Sequence, residues 1–369
     1  MATTTQATPT TSGSKRGPTR DFVPAILMAG PAMVLMFMFL IGPFFSGIGY
    51  SFTNQRLISA NPTEWVGLRN YTRLIKMSVL AVEPVVDPAT GQPELDENGD
   101  PVYPRSRDYT RDEVNYPQYE GMREWFSFDA GGQRYYVLAG DPTFLRSVLN
   151  VILFAVIVIP LQMGLGLLLA LLVNQQLRGR NFFRTIYFSP VVTSMVVISI
   201  VWTFLYDKDN GLINQFLQLF GLPNVNWLGD PLTAMPAIII MSVWQGVGFQ
   251  MVLFLAGLQG IPEFLYEAAS IDGANGWQKF RNITVPGLRN VTVFIIITIT
   301  IAAFQLFTQV FVMTNGGPND ATTTVVFHMV RKGFREQDIA VASAIGVLFF
   351  LFIFGISLFQ RYILRDQEA

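Results

Sequence analysis

Ser242, Gln245 and Phe249 sit in one long apolar run at spacing i, i+3 and i+7, a single face of a helix. In a later run Thr298, Ala302, Gln305 and Gln309 share a face in the same way, with Thr308 adjacent. Amides and hydroxyls pair with hydroxyls, and an aromatic ring stacks on the apolar face of a sugar ring. Such a lining suits a neutral, hydroxyl-rich solute, so these six polar and aromatic side chains (Ser242, Gln245, Phe249, Gln305, Thr308 and Gln309) are candidates for a substrate path. The same residue types also tie one membrane helix to another, for about 0.6–2 kcal/mol each. A packing role stays open beside the binding one.

Other chemistry is sparse. There are no cysteines, which excludes disulfides and thiolate metal sites, and the one histidine, His328, leaves no histidine relay and no histidine metal cluster. No catalytic set and no metal set are found. No Gly-rich phosphate loop ending in Gly-Lys-Ser or Gly-Lys-Thr occurs, so ATP and magnesium are not bound here in that way. Asp96, Asn98 and Asp100 match the opening of a calcium loop, but Pro101 stands where that loop needs glycine. A plain turn is expected there. Net charge is −1, which gives no basic field for nucleic acid.

The elements that position these residues follow from hydropathy. The chain of 369 residues is 51% hydrophobic and only 14% charged, against about 25% charged in soluble domains. Mean hydropathy is +0.38. Six long apolar runs carry no Asp, Glu, Lys or Arg: 22–55, 147–177, 185–206, 231–262, 290–319 and 339–360. Each reaches the roughly 20 residues a helix needs to cross the hydrocarbon core. The fold class is therefore all-α, a polytopic membrane protein with six membrane helices. No ionisable group lies at mid-span, which counts against a proton-driven carrier. Sodium sites built from backbone and hydroxyl oxygens remain open.

Charge sets an expected orientation. With a cytoplasmic N-terminus, the inner loops hold Arg178, Arg180, Arg184, Lys279, Arg281, Arg289, Arg361 and Arg365. The outer loops hold fewer cations, chiefly Arg331, Lys332 and Arg335. That bias places both termini in the cytoplasm. The expected division is a disordered cytoplasmic tail at 1–21, a first helix at 22–52 and an extracytoplasmic loop at 53–143. A core of helices two to six follows at 144–363, and a short tail at 364–369. Within the outer loop, Ala130-Gly131-Gly132 between two aromatic-rich runs reads as a β-hairpin.

The polar interruption at 263–288 separates two membrane runs. Residues 265–271 are good helix formers, with Glu263 and Glu267 where the helix dipole favours acids. Gly273 permits a sharp turn, and Trp277, Phe280 and Ile283 recur at helical spacing. A charged helical loop of this kind suits docking of a soluble partner. The run Glu267-Ala268-Ala269, then Asp272-Gly273, then Ile283 and Pro286, closely resembles the coupling-loop signature of binding-protein-dependent ABC importer permeases. The surrounding stretch, Trp244-Gln245-Gly246 through Gly260-Ile261-Pro262, is similar to the carbohydrate-uptake branch. Thr314-Asn315-Gly316-Gly317-Pro318 and the short tail resemble the maltose-permease first-subunit type.

The resemblance implies the type I importer fold and import of a carbohydrate, an oligosaccharide or glycoside, across a bacterial inner membrane by alternating access. It implies that Glu267, Ala268, Ala269, Asp272, Gly273, Trp277, Phe280 and Pro286 couple to an ATPase. It also implies four partner subunits: a second homologous permease, two ATPase subunits that bind ATP and magnesium, and an extracytoplasmic sugar-binding protein. In the maltose permeases the corresponding stretches of helices four and five contribute to the sugar site, and only that location carries over. Residues from about 77 to 140 are expected to be a small β-containing insertion into the family's usual outer loop. A glycerol-phosphate importer of the same family and an ion-coupled carrier are the competing readings.

Overall fold

Two of the longest helices begin at an Asp-Pro pair. Asp141 accepts a hydrogen bond from the Phe144 amide at 3.0 Å, and Asp230 accepts one from Leu232 at 2.8 Å. Pro142 and Pro231 follow as first helical residues, where proline gives up no hydrogen bond. From these caps run the second span, Pro142–Asn174, and the fourth, Pro231–Gln259. The computed structural model describes residues 22–175 and 179–364. The expected tail at 1–21, Arg178 and the residues from 365 onward lie outside that range.

The chain divides into two units, Met1–Gly49 and Tyr50–Ala369. The described part of the first is helical and apolar all round, with a π turn at Phe37–Ile41. It supplies most of the first candidate span, Ile26–Ser51.

In the second unit the second and fourth spans form the most extensive helix pair. Val151, Ala170, Ala237, Ile238, Met241 and Met251 are fully buried between and around them. The fifth span, Arg289–Met313, packs on both, and the sixth, Ile339–Tyr362, packs on the fifth. Leu149, Leu153, Val156, Leu161, Leu165, Leu168 and Leu172 are exposed along the second span at helical spacing, an apolar stripe suited to lipid.

The third run does not form a straight crossing helix. Arg180–Val192 and Met195–Leu205 meet at 101°. Thr193 and Ser194 between them are extended, with ψ of 142° and 131°. Pro190 removes one helical amide, and the β-branched Val191-Val192-Thr193 then disfavours continuing the helix. Among the described residues there are therefore five helices long and apolar enough to cross a membrane, or six when the bent pair counts as one span.

Outside the spans, β1 (Met77–Val82), β2 (Arg123–Ala130) and β3 (Gln133–Ala139) form an antiparallel sheet in the order β1-β3-β2. The expected hairpin is β2–β3, turned by Gly131 and Gly132 at φ +61° and +78°; positive φ at both positions is the hairpin geometry that glycine favours. The partnership of β1 with β3 had no local signal. Leu80, Val82, Met122, Tyr136 and Leu138 form a small separate core beneath the sheet. At 96–100 the Asp96 carboxylate accepts from the amides of Asn98 and Asp100, each at 2.9 Å, which is the plain turn expected.

Helix contacts are set by glycine. A Cβ on Gly248 would overlap the backbone carbonyl of Tyr187, on the first half of the bent pair. Gly248→Val should destabilise by about 1–3 kcal/mol through overpacking, read as a lower melting midpoint of the purified full chain in detergent. Gly355→Val, where a Cβ meets nothing within 4 Å, should leave the midpoint unchanged.

Candidate functional site

Ser242, Gln245 and Phe249 line one cavity of about 310 Å³ together with Thr298, Ala302 and Gln309. Gln245 is the middle residue of the fourth span, so the cavity lies near the middle of that helix. No charged side chain lines it. Gln305 and Thr308 do not join the lining. The fifth span unwinds between Phe304 and Thr308. Gln305 is exposed at the end of the first segment and Thr308 opens the next. One helix face cannot be projected across that break.

Sequence reasoning missed two amides. Gln162, on the second span, and Gln250, beside Phe249, are both buried and line the cavity. Gln162 Nε2 donates to the Ser242 carbonyl at 2.8 Å. A Cβ on Gly246 would overlap that amide, so glycine makes room for it. Ser242 Oγ and Gln250 Oε1 are buried with no protein partner. Buried polar atoms are nearly always paired, so these two mark places for hydroxyl groups of a solute or for water. Gln162 was legible only as the one polar side chain between Asn150 and Asn174 on the second span.

A second polar assembly lies at the end of the bundle where the second span begins. Thr322, Thr323 and Thr324 are fully buried. Thr324 Oγ1 donates to the Leu306 carbonyl at 2.6 Å, which satisfies the break in the fifth span. Asn150 Nδ2 donates to the carbonyls of Asp320 and Thr323 at 3.1 and 2.9 Å. His328, almost wholly buried, places Nε2 at 3.0 Å from Asp141 Oδ2 and Nδ1 at 3.1 Å from an Arg331 nitrogen. Arginine only donates, so Nδ1 accepts and the Nε2 proton points to Asp141. Burial would raise the Asp141 carboxyl, but the hydrogen bonds from His328 and the Phe144 amide, with the nearby Lys332 cation, outweigh it and hold the carboxyl at about 2. Burial likewise acts upward on Asp320, and Arg331 at 2.9 Å brings it below the usual carboxylate range. The residue that offers no metal cluster thus clamps the loop before the sixth span to the start of the second.

The loop at 263–288 is a helix, a glycine turn and a second helix. Glu263–Ile271 ends where Gly273 takes φ +75°, and the Ala274 amide reaches back to the Ala269 carbonyl at 2.8 Å. Asn275 and Gln278 cap the second helix reciprocally. Lys279 Nζ donates to Ser270 Oγ at 2.7 Å and Tyr266 bonds Thr284 at 2.9 Å, which fixes the two helices together. Trp277 stacks on Phe280 at 5.5 Å. Glu267, Ala268, Asp272, Gly273, Trp277 and Pro286 are exposed, and Ala269 and Phe280 are half-buried. Phe264, Ile271 and Trp277 are exposed large apolar side chains in this loop.

Residues 162–368 match the family model described as the binding-protein-dependent transport system inner membrane component. The chain belongs to that family. This permease is a transport subunit, not an enzyme. It is 37% identical over 246 residues to a probable ABC transporter permease protein, YurN, of Bacillus subtilis (strain 168), covering 64% of this chain and 84% of that protein. It is 36% identical over 215 residues to the trehalose/maltose transport system permease protein MalF of Thermococcus litoralis, covering 58% and 72%. Among solved structures it is similar to a bacterial ABC transporter involved in import of the acidic polysaccharide alginate. That match has a TM-score of 0.67 at 19% identity and covers 95% of this chain and 98% of that one. The permease therefore has the fold of an ABC importer membrane subunit, and the three-stranded sheet lies outside the family model.

Two outcomes follow. In a chain with no native cysteine, Gln245→Cys and Phe249→Cys should react with a small polar thiol reagent from one side, in a nucleotide-dependent way. Inaccessibility in every state would leave them as packing residues. Gly273→Pro imposes φ near −65° where the loop needs +75°. It should abolish uptake and uncouple ATP hydrolysis while membrane insertion is preserved; unchanged uptake would remove the loop from the coupling path.

Proposed function

We propose that this permease is one half of a heterodimeric pore that admits a neutral oligosaccharide or glycoside into the bacterial cytoplasm by alternating access. The observation that carries this reading is the uncharged mid-span cavity with two unpaired buried polar atoms, Ser242 Oγ and Gln250 Oε1. Sugar hydroxyls satisfy both, and Phe249 offers a ring for stacking. A glycerol phosphate would call for a cation in the path, and the lining has none. Curated relatives named for trehalose and maltose, for arabinooligosaccharides and for lactose, each 34–36% identical, support the same solute class.

In this proposal both termini are cytoplasmic, and the loop at 263–288 seats in one of two ATPase subunits that bind ATP and magnesium. An extracytoplasmic sugar-binding protein docks on the outer face. The sheet there exposes Phe126 and Phe128, whose rings stack at 6.4 Å along β2, a surface open to such a partner. ATP binding closes the ATPases, the loop moves as one body, and the bundle switches sides.

The test is transport by the complete complex in proteoliposomes. Uptake of a neutral oligosaccharide should depend on ATP and on the binding protein. Ser242→Ala and Gln250→Leu should each raise half-saturation about fivefold, near one hydrogen bond of about 1 kcal/mol, with basal ATP hydrolysis unchanged. Equal half-saturation in both variants would remove the cavity from the sugar path. Uptake driven by an ion gradient without ATP would replace the importer reading with the carrier one.

A further inference from the structure

The helix Arg69–Ile75 carries a basic stripe that the transport function does not use. Arg69, Thr72, Arg73 and Lys76 fall at i, i+3, i+4 and i+7, so they share one face. With Arg56 they line a cavity of about 500 Å³. Only two carboxylates, Glu120 and Asp338, face the four cations across it. Asp338 is already engaged as the cap of the sixth span, accepting from the Val341 amide at 3.0 Å. Among the described residues the Arg56, Arg69, Arg73 and Lys76 side chains make no hydrogen bond or ion pair; the side chains of Gln55 and Thr72 reach only the backbone carbonyls of Arg56 and Arg69. The cavity thus holds a cluster of unmatched positive charge with Asn54 and Thr72 as further polar groups.

Its height is fixed by the spans. Ala340 and Val341, in the first turn of the sixth span, line it. The helix is tied to Ser51, the last residue of the first span, through Asn70 Nδ2 to the Ser51 carbonyl at 2.8 Å and Tyr71 to Ser51 Oγ at 2.6 Å. The cavity therefore opens at the level where hydrocarbon gives way to headgroups. Beside the basic face, Leu68 and Ile75, seven residues apart, are 63% and 56% exposed, and Trp65 is 71% exposed while stacked on Phe52 at 5.2 Å. Aromatic rings gather at that boundary, and a basic helix face flanked by apolar side chains lies in it.

We propose that this cavity is a binding site for an anionic glycerophospholipid of the outer leaflet. The phosphate sits among Arg69, Arg73 and Lys76, and the acyl chains cover Leu68, Ile75 and Trp65. One lipid molecule meets both requirements, the unmatched cations and the exposed apolar flank. An acidic patch on a soluble partner would meet only the first. The site is independent of what the pore carries.

The probe is phosphatidylglycerol, with phosphatidylcholine as the neutral control and free glycerol phosphate as the headgroup alone. The full chain in neutral detergent should retain phosphatidylglycerol in native mass spectra and bind it at least tenfold more tightly than phosphatidylcholine. Arg69→Gln with Arg73→Gln should lower that affinity about tenfold, and Arg73→Lys alone should largely keep it. Equal retention of the two lipids by the unaltered chain would overturn the proposal, and that measurement does not depend on the folding of any variant. Glycerol phosphate binding as tightly as the lipid would make the site one for a free anion. A double variant that binds lipid normally but loses stimulation by the binding protein would assign the stripe to that partner instead.

Discussion

Gly166, Gly246 and Gly248 allow the helices around the cavity to approach at backbone distance, and the rest of the transmembrane architecture is built on that approach. A Cβ on Gly166 would come within 2.6 Å of Gln250 Cβ. In hydrocarbon no hydrophobic force draws helices together, because lipid tails are as apolar as leucine. Cohesion must come from close fit and from polar groups that find partners. The small residues bring the second and fourth spans near enough for Gln162 to bond the Ser242 carbonyl. That contact seats Ser242, Gln245 and Phe249 opposite the fifth span and so creates the cavity between them.

Both broken helices converge on the same cavity. Val191 and Met195 flank the bend in the third span, Leu306 and Gln309 flank the break in the fifth, and all four are in the lining. Irregular backbone at membrane depth is tolerated only where protein or a cavity can satisfy it. At the fifth span Thr324 does so from the segment before the sixth span. These breaks are the positions where a bundle can change shape with the least loss of helical hydrogen bonds, and they border the path the solute would follow.

The two ends of the bundle are finished differently. At the end expected to face outward, buried threonines, Asn150, Asp141 and His328 lock the loop before the sixth span onto the second. Inside, on the expected orientation, the loop at 263–288 is internally braced by Lys279 and Tyr266 yet leaves its apolar and acidic surface open. A braced but uncovered helix pair can move as one body when a partner moves, which is what force transmission into a membrane requires.

Much of this was readable along the chain. Charge-free runs gave the spans because a helix in lipid cannot carry unpaired charge. Gly131-Gly132 gave the hairpin because few other residues accept positive φ. The loop helix and its glycine turn followed from propensity and spacing, and the cavity lining was partly visible as polar residues on one face. What failed to show had a common cause. In a membrane both the lipid-facing and the helix-facing sides of a span are apolar, so periodicity does not say which face meets which helix. The inclusion of Gln162 and Gln250, the departure of Gln305 at the break, the 101° bend after Pro190 and the pairing of β1 with β3 depend on distances between segments far apart in sequence. The amino-acid order by itself determined which segments enter the membrane and where the chain turns. Only the tertiary structure decided which polar side chains face one another, because that is set by how closely the glycines let separate helices approach.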